Sequence, residues 1–242
     1  RMDNRPIGVF DSGIGGLTVV DAITNNLSSE DIIYVGDTAR VPYGNKSKNR
    51  IRQYASEITK WLITQDCKMI VVACNTVSAL ALDYLNSTFS IPIIGVIDSG
   101  VEKAVEISQN NKIAVLGTSA TIRSDAYGKR LKAIKPEVVV TSQACPLFVP
   151  LAEEGWIDGE IPFQIATYYF SSIKKMDVDT VILGCTHYPL LKKTIHSCLG
   201  DHIRLVDSGE AVVKNVVSAL EKMKGLSYST RGQIRCYVTD DP

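Results

Sequence analysis

Short, wholly apolar runs recur along this chain, separated by stretches of helical periodicity, and this alternation leaves few folds open. Ile7-Gly8-Val9-Phe10 is followed by a glycine-rich turn and a helix pattern from about Gly16 to Leu27. Ile32-Ile33-Tyr34-Val35 is the next run, and residues 46–65 then carry Ile51, Tyr54, Ala55, Ile58 and Leu62 on one helical stripe. Met69–Ala73 and Ile91–Val96 read as further strands, with a helix over Thr76–Leu85 between them. A strand without polar alternation is covered on both faces, and helical connections join parallel strands. The chain therefore reads as α/β, its sheets mostly parallel and flanked by helices.

The order then restarts. Ile113–Thr118 resembles the opening strand and its turn, and Val138-Val139-Val140 is a second-unit strand. Thr180–Cys185 echoes Met69–Cys74, and Ile203–Gly209 echoes Ile94–Gly100. The cysteines are 111 residues apart and the Asp-Ser-Gly triplets 109. Near-equal offsets in the same order predict two pseudo-symmetric lobes with an active site in the cleft between them. Crossovers at Ser99-Gly100 and Ser208-Gly209 give one lobe residues 1–97 plus 208–242, with a helix over Glu210–Lys222. The other lobe takes residues 98–207.

Lys+Arg and Asp+Glu both total 26, so no basic stripe points to nucleic acid or a membrane surface. Apolar runs stay far below the roughly 18 residues of a membrane span. Arg1-Met2-Asp3-Asn4-Arg5-Pro6 has no apolar core of a secretory signal, and Arg1 before Met2 reads as an expression remnant. The six cysteines form no C-x-x-C pair, which predicts free thiols in a reducing cytoplasm. The histidines at 187, 196 and 202 lack metal-ligand spacing, so neither a metal nor another cofactor is expected.

In open parallel sheets, ligands bind beyond the carboxyl ends of the strands. Cys74 and Cys185 both stand at such ends, each ahead of an expected helix start. A helix N-terminus lowers a thiol pKa from about 8.5 toward neutrality. For either thiol alone a buried structural cysteine is the alternative; the matched pair points to two facing acid/base groups. Asp11-Ser12-Gly13-Ile14-Gly15-Gly16 tempts a dinucleotide reading, but the third glycine of G-x-G-x-x-G is replaced by Thr18. It reads better as a turn lending N–H groups to a small anion, with Asp11 facing the cleft, or as a plain helix cap. Pro42-Tyr43-Gly44 stands in a polar loop. His187 reads as an acid/base, a substrate orienter or a structural histidine. Glu153, in isolation, reads as solvated surface.

Together these blocks carry a resemblance. Asp11-Ser12-Gly13, Pro42-Tyr43-Gly44, Cys74-Asn75-Thr76, Gly117-Thr118 with Ala120-Thr121, and Gly184-Cys185-Thr186-His187 occur in the order seen in glutamate racemases, from about Pro6 to Asp207. The Ala144-Cys145-Pro146 stretch with Val149-Pro150 and Glu153 favours the glutamate branch. The resemblance implies a cofactor-independent racemase supplying D-glutamate for peptidoglycan. It matches the two catalytic thiols to Cys74 and Cys185, and the assisting groups to Asp11, Glu153 and His187. It matches substrate-holding positions to Asp11, Ser12, Tyr43, Gly44, Asn75, Thr76, Thr118, Thr121, Thr186 and His187. The implied partner is L- or D-glutamate, and a homodimer is left open. Family members usually continue beyond the strand near Gln233–Thr239 with a closing helix, whereas this sequence ends at Asp240-Asp241-Pro242; completion of the first lobe is left open too.

One thiolate would take the α-proton while the other thiol returns one to the opposite face. Asn75, Thr76, Thr186 and strand-end N–H groups would hold the carboxylate. The rival readings are an aspartate or hydantoin racemase, a Cys-His hydrolase using Cys185 and His187, and a non-enzymatic two-lobed binder.

Overall fold

The computed structural model describes residues 3–228 and 230–240; Arg1 and Met2, and the reading attached to them, lie outside the described residues. The chain divides into two compact units, Arg1–Val96 with Gly209–Pro242, and Ile97–Ser208.

The first unit is built on a five-stranded parallel sheet. Its strands are β1 (Ile7–Asp11), β2 (Ile32–Gly36), β3 (Met69–Val72), β4 (Ile93–Ile94) and β9 (Ile234–Val238), in the order β4-β3-β1-β2-β9. Successive side chains of a strand point to opposite faces, and the core divides accordingly. Phe10, Ile33, Val35, Ile70 and Val72 meet Ile51, Ala55, Ile58 and Leu62 of the helix Lys48–Thr64. Ile7, Val9, Ile32, Tyr34, Met69 and Val71 meet Val19, Val20 and Ile23 of the helix Leu17–Asn26 and Val212, Val216 and Leu220 of the helix Ser208–Met223. Ser47 caps the helix Lys48–Thr64 by accepting from the Arg50 N–H at 3.3 Å.

The second unit carries β5 (Lys112–Gly117), β6 (Val139–Ala144), β7 (Thr180–Gly184) and β8 (Arg204–Asp207), all parallel, in the order β6-β5-β7-β8. Read from the other edge this is β8-β7-β5-β6, the same path as β4-β3-β1-β2. The repeat read from the two offsets is thus a repeat of topology. Ala114, Leu116, Val181 and Leu183 pack with Phe148, Ala166, Phe170, Leu191 and Ile195 on one face. Phe148 anchors this core, with edge-on contacts to Tyr169, Phe170 and Tyr188.

Several local expectations are corrected. The strand expected over Ile91–Val96 is only Ile93–Ile94. Pro92 has no N–H for the ladder, and the Val96 N–H is taken by Ser78 Oγ at 3.2 Å. The helix expected over Thr76–Leu85 is two helices, Asn75–Leu80 and Leu82–Thr88, with Ala81 at φ −131° between them. Of the two crossovers, the one expected at Ser99-Gly100 falls at Val96-Ile97, with Ser99-Gly100 inside the helix Ile97–Ile107, while the one at Ser208-Gly209 stands where expected and opens the helix Ser208–Met223. Among the described residues no helix is long and apolar enough to cross a membrane.

Candidate active site

Asp11 is the last residue of β1 and is fully buried. Its Oδ2 accepts the N–H of Gly13 at 3.3 Å and of Gly16 at 3.1 Å. The glycine turn does lend N–H groups to an anion, as the sequence suggests, but two of them go to the chain's own carboxylate. Gly16 is required here: a Cβ on it would lie 2.5 Å from Asp11 Cβ. Tyr34, below the turn, donates its hydroxyl to the Gly13 carbonyl at 2.5 Å.

Cys74 follows β3 and stands at the N-cap of the helix Asn75–Leu80. Burial pushes its thiol up to about 12, and the Asp11 charge adds to the rise. Hydrogen bonds from the Val77 N–H, the Ser12 hydroxyl and the Thr76 N–H pull the other way. The helix start therefore acts in the expected direction, but desolvation of the buried thiol outweighs it and the expected shift toward neutrality does not occur. Asn75 and Thr76, the first residues of that helix, are buried with it.

Cys185 occupies the matching place after β7, and Thr186 and His187 follow it, all three buried. No α-helix starts there. An α-helical first turn would need the residue at 189 to donate to the Cys185 carbonyl, and Pro189 cannot. The Tyr188 N–H takes that carbonyl at 3.1 Å instead, and a 3₁₀ turn runs over Tyr188–Leu191 before the helix Lys192–Leu199. Gly184 allows the close approach of β5, since a Cβ there would lie 2.4 Å from the Leu116 carbonyl oxygen.

His187 links two of the expected residues. Its Nδ1 lies 3.8 Å from Cys185 Sγ and its Nε2 lies 2.6 Å from Glu153 Oε1, at the end of the helix Phe148–Glu153. A carboxylate only accepts, so Nε2 carries a proton, and in the neutral form of the ring the Nδ1 lone pair is the one turned to the thiol. Thr118 caps the helix Ser119–Ser124 after β5, accepting from the Thr121 N–H at 3.2 Å, with the two hydroxyls 3.1 Å apart.

The structure thus gathers Asp11, Ser12, Cys74 and Thr76 in the first unit, and Cys185, His187 and Glu153 in the second. Tyr43 and Gly44 lie on a 3₁₀ turn, Tyr43–Asn45, with the Tyr43 ring buried and its hydroxyl within the electrostatic reach of Cys74.

Comparison with known proteins fixes the family. A family model described as Asp/Glu/Hydantoin racemase matches residues 7–216. The glutamate racemase of Geobacter metallireducens is 48% identical over 239 residues, 98% of this chain and 88% of the relative. The crystal structure of a glutamate racemase isoform from Bacillus anthracis has a TM-score of 0.95 at 36% identity, covering 99% of this chain and 90% of the other. That of the Francisella tularensis glutamate racemase, in complex with D-glutamate, has a TM-score of 0.93 at 43% identity, with the same coverage. The chain belongs to the glutamate racemase family.

Membership makes it an isomerase, an amino-acid racemase. One buried group near this racemase's Tyr43 looks in the sequence like no more than the middle of a Gly36-Asp37-Thr38 turn. Asp37 is fully buried and takes hydrogen bonds from Tyr43, Arg40 and Thr239. A buried carboxylate cannot be told from a solvated turn residue by sequence pattern, because its partners come from residues 3, 6 and 202 positions away.

Proposed function

We propose that the chain interconverts L- and D-glutamate by two-base proton transfer at Cα, with Cys74 and Cys185 as the two bases. The observation that carries this reading is their equivalence: each follows the corresponding strand, β3 or β7, of two sheets with the same strand path. Racemisation needs a proton removed from one face of the α-carbon and one delivered to the other, and two equivalent units supply one thiol each. D-Glutamate bound to the Francisella tularensis relative supports the substrate. The product would serve peptidoglycan synthesis in the cytoplasm.

The two thiols have different surroundings. Buried Cys74, with Asp11 nearby, rests as a neutral thiol, a proton donor. Cys185 faces the His187 Nδ1 lone pair, which can receive the thiol proton while Glu153 stabilises the imidazolium. The resting protein is then set to take a proton at Cys185 and give one at Cys74. Through the resemblance, Cys185 serves the L enantiomer and Cys74 the D enantiomer.

Carbanion stabilisation falls to donors around the α-carboxylate, assigned to Asn75, Thr76 and Thr186, with Ser12, Thr118 and Thr121 shaping the rest of the site. Asp11, His187, Tyr43 and Gly44 complete the substrate-holding set. A Cys-His-acid array could also serve a hydrolase, but that chemistry leaves Cys74 idle. Incubation with L-glutamate in D₂O tests the reading. Loss of optical rotation with deuterium entering Cα is expected; unchanged rotation without exchange overturns it.

A further inference from the structure

Tyr43 is a substrate-holding position in the proposed function, and the inference drawn here rests on that reading. The Tyr43 ring is 1% exposed and sits in the core against Tyr54, with centroids 5.6 Å apart. Its hydroxyl donates to Asp37 Oδ2, so its one proton is spent inside the protein. Asp37 itself is held from every side. Its backbone N–H donates to the Asp11 carbonyl at 3.0 Å, tying the ends of β2 and β1. Arg40 Nε donates to Oδ2 at 2.7 Å, and the Thr239 hydroxyl, just beyond β9, donates to Oδ1 at 2.8 Å. The Arg40 guanidinium lies 3.9 Å over the Tyr54 ring and donates to Glu57 at 2.5 Å. Asp37, Tyr43, Tyr54 and Arg40 thus form a closed ring of contacts.

The geometry points to Asp37 as the positioning residue for the Pro42-Tyr43-Gly44 segment, with the Tyr43 hydroxyl acting as that segment's internal anchor and not as a donor to the substrate. A charged acceptor buried with its donors gives a strong, directional bond. Release of the phenol would leave Asp37 Oδ2 with Arg40 Nε as its remaining named donor and the segment free to shift. Uniform loss of substrate holding raises KM and leaves kcat.

The test compares wild type, Tyr43→Phe, Asp37→Asn and the double variant. For each, KM and kcat for glutamate racemisation and the D-glutamate dissociation constant by calorimetry are measured. Both single variants are expected to raise KM and the dissociation constant about tenfold, with kcat within about twofold, and the double variant to be no worse than the poorer single one. A Tyr43→Phe protein with wild-type KM and affinity overturns the proposal. So does one whose kcat falls while KM holds, because the hydroxyl would then act on the transition state. Additive losses in the double variant overturn it as well, since the two residues would act separately. If Asp37→Asn does not fold, Tyr43→Phe alone decides. A wild-type protein that neither binds nor racemises glutamate removes the function reading; one that does, with variants of wild-type affinity, removes only this proposal.

Discussion

Glu153 Oε1 lies 2.6 Å from His187 Nε2, and this contact decides which face His187 turns to Cys185. In the proposed mechanism it makes His187 the proton acceptor for a thiol 3.8 Å away. Glu153→Gln keeps an acceptor oxygen but removes the charge that would stabilise an imidazolium in that mechanism. It is expected to lower kcat/KM about tenfold, and His187→Asn by about 10²–10⁴-fold, the usual range for general acid–base catalysis. Steady-state kinetics with circular dichroism detection checks both. Equal, small losses in the two variants would show that the histidine does not handle the proton.

Cys74→Ser and Cys185→Ser are each expected to abolish racemisation nearly completely while the far-ultraviolet spectrum stays unchanged. A serine hydroxyl is far too weak an acid to replace a thiol. A single variant that keeps more than about a tenth of wild-type kcat/KM, a loss below ~1.4 kcal/mol, rules out the two-base mechanism.

With burial and the Asp11 charge holding the Cys74 thiol near 12, almost none of it is thiolate at pH 8 in the resting protein. Alkylation by iodoacetamide is expected to be slow at Cys74 and to rise about tenfold per pH unit between pH 8 and 10. Mass spectrometry of peptides, with exposed Cys236 as internal reference, measures it. The same shift bears on stability: the unfolded thiol ionises first, so this contribution is complete below the unfolded pKa of about 8.5. It is lost as pH rises through that value toward 12. A rate at Cys74 already level at pH 8 would contradict the assigned environment.

Much of this was legible in the sequence. Apolar runs without polar alternation marked β1, β2, β3, β5 and β7, because central parallel strands are covered on both faces. Thr141, Ser142 and Gln143 hid most of edge strand β6, which is only half-buried. The two cysteines at strand ends marked the candidate site. What the sequence lacked was anything set by tertiary contact: the rise of the Cys74 pKa, the use of Asp11's own turn N–H groups, and the Asp37 cluster. The 3₁₀ turn after Cys185 was readable from Pro189, had the missing donor been counted.

Lys68 and Glu30 form a buried ion pair at 2.5 Å, and Lys68 Nζ also donates to the carbonyls of Asp3 and Gly225, both at 2.7 Å. The second Glu30 oxygen takes the Ser227 N–H at 2.7 Å. One lysine thus ties the N-terminal segment to the chain after the helix Ser208–Met223. Lys68→Ala strands a buried carboxylate and is expected to cost ~3–5 kcal/mol in urea unfolding. A change below about 1 kcal/mol would mean that Glu30 finds water or another partner.

The two thiols are expected to differ in the enantiomer each one deprotonates. In racemisation the ratio of kcat/KM for the two directions equals the equilibrium constant, which is unity for mirror-image substrates in water. A defect on one side therefore slows both directions alike, and racemisation kinetics cannot say which thiol faces which enantiomer. β-Chloroalanine avoids this limit, because it carries a leaving group on Cβ. Removal of its α-proton by one thiolate expels chloride from Cβ and forms aminoacrylate, which hydrolyses to pyruvate and ammonia. No second thiol is needed. Cys74→Ser is expected to eliminate chloride from the L form and fail on the D form, and Cys185→Ser the reverse. Glu153→Gln, acting through His187 on Cys185, should slow elimination from the L form alone. Pyruvate release coupled to a dehydrogenase follows each case. The same enantiomer preference in both cysteine variants would sink the assignment of one thiol to each face.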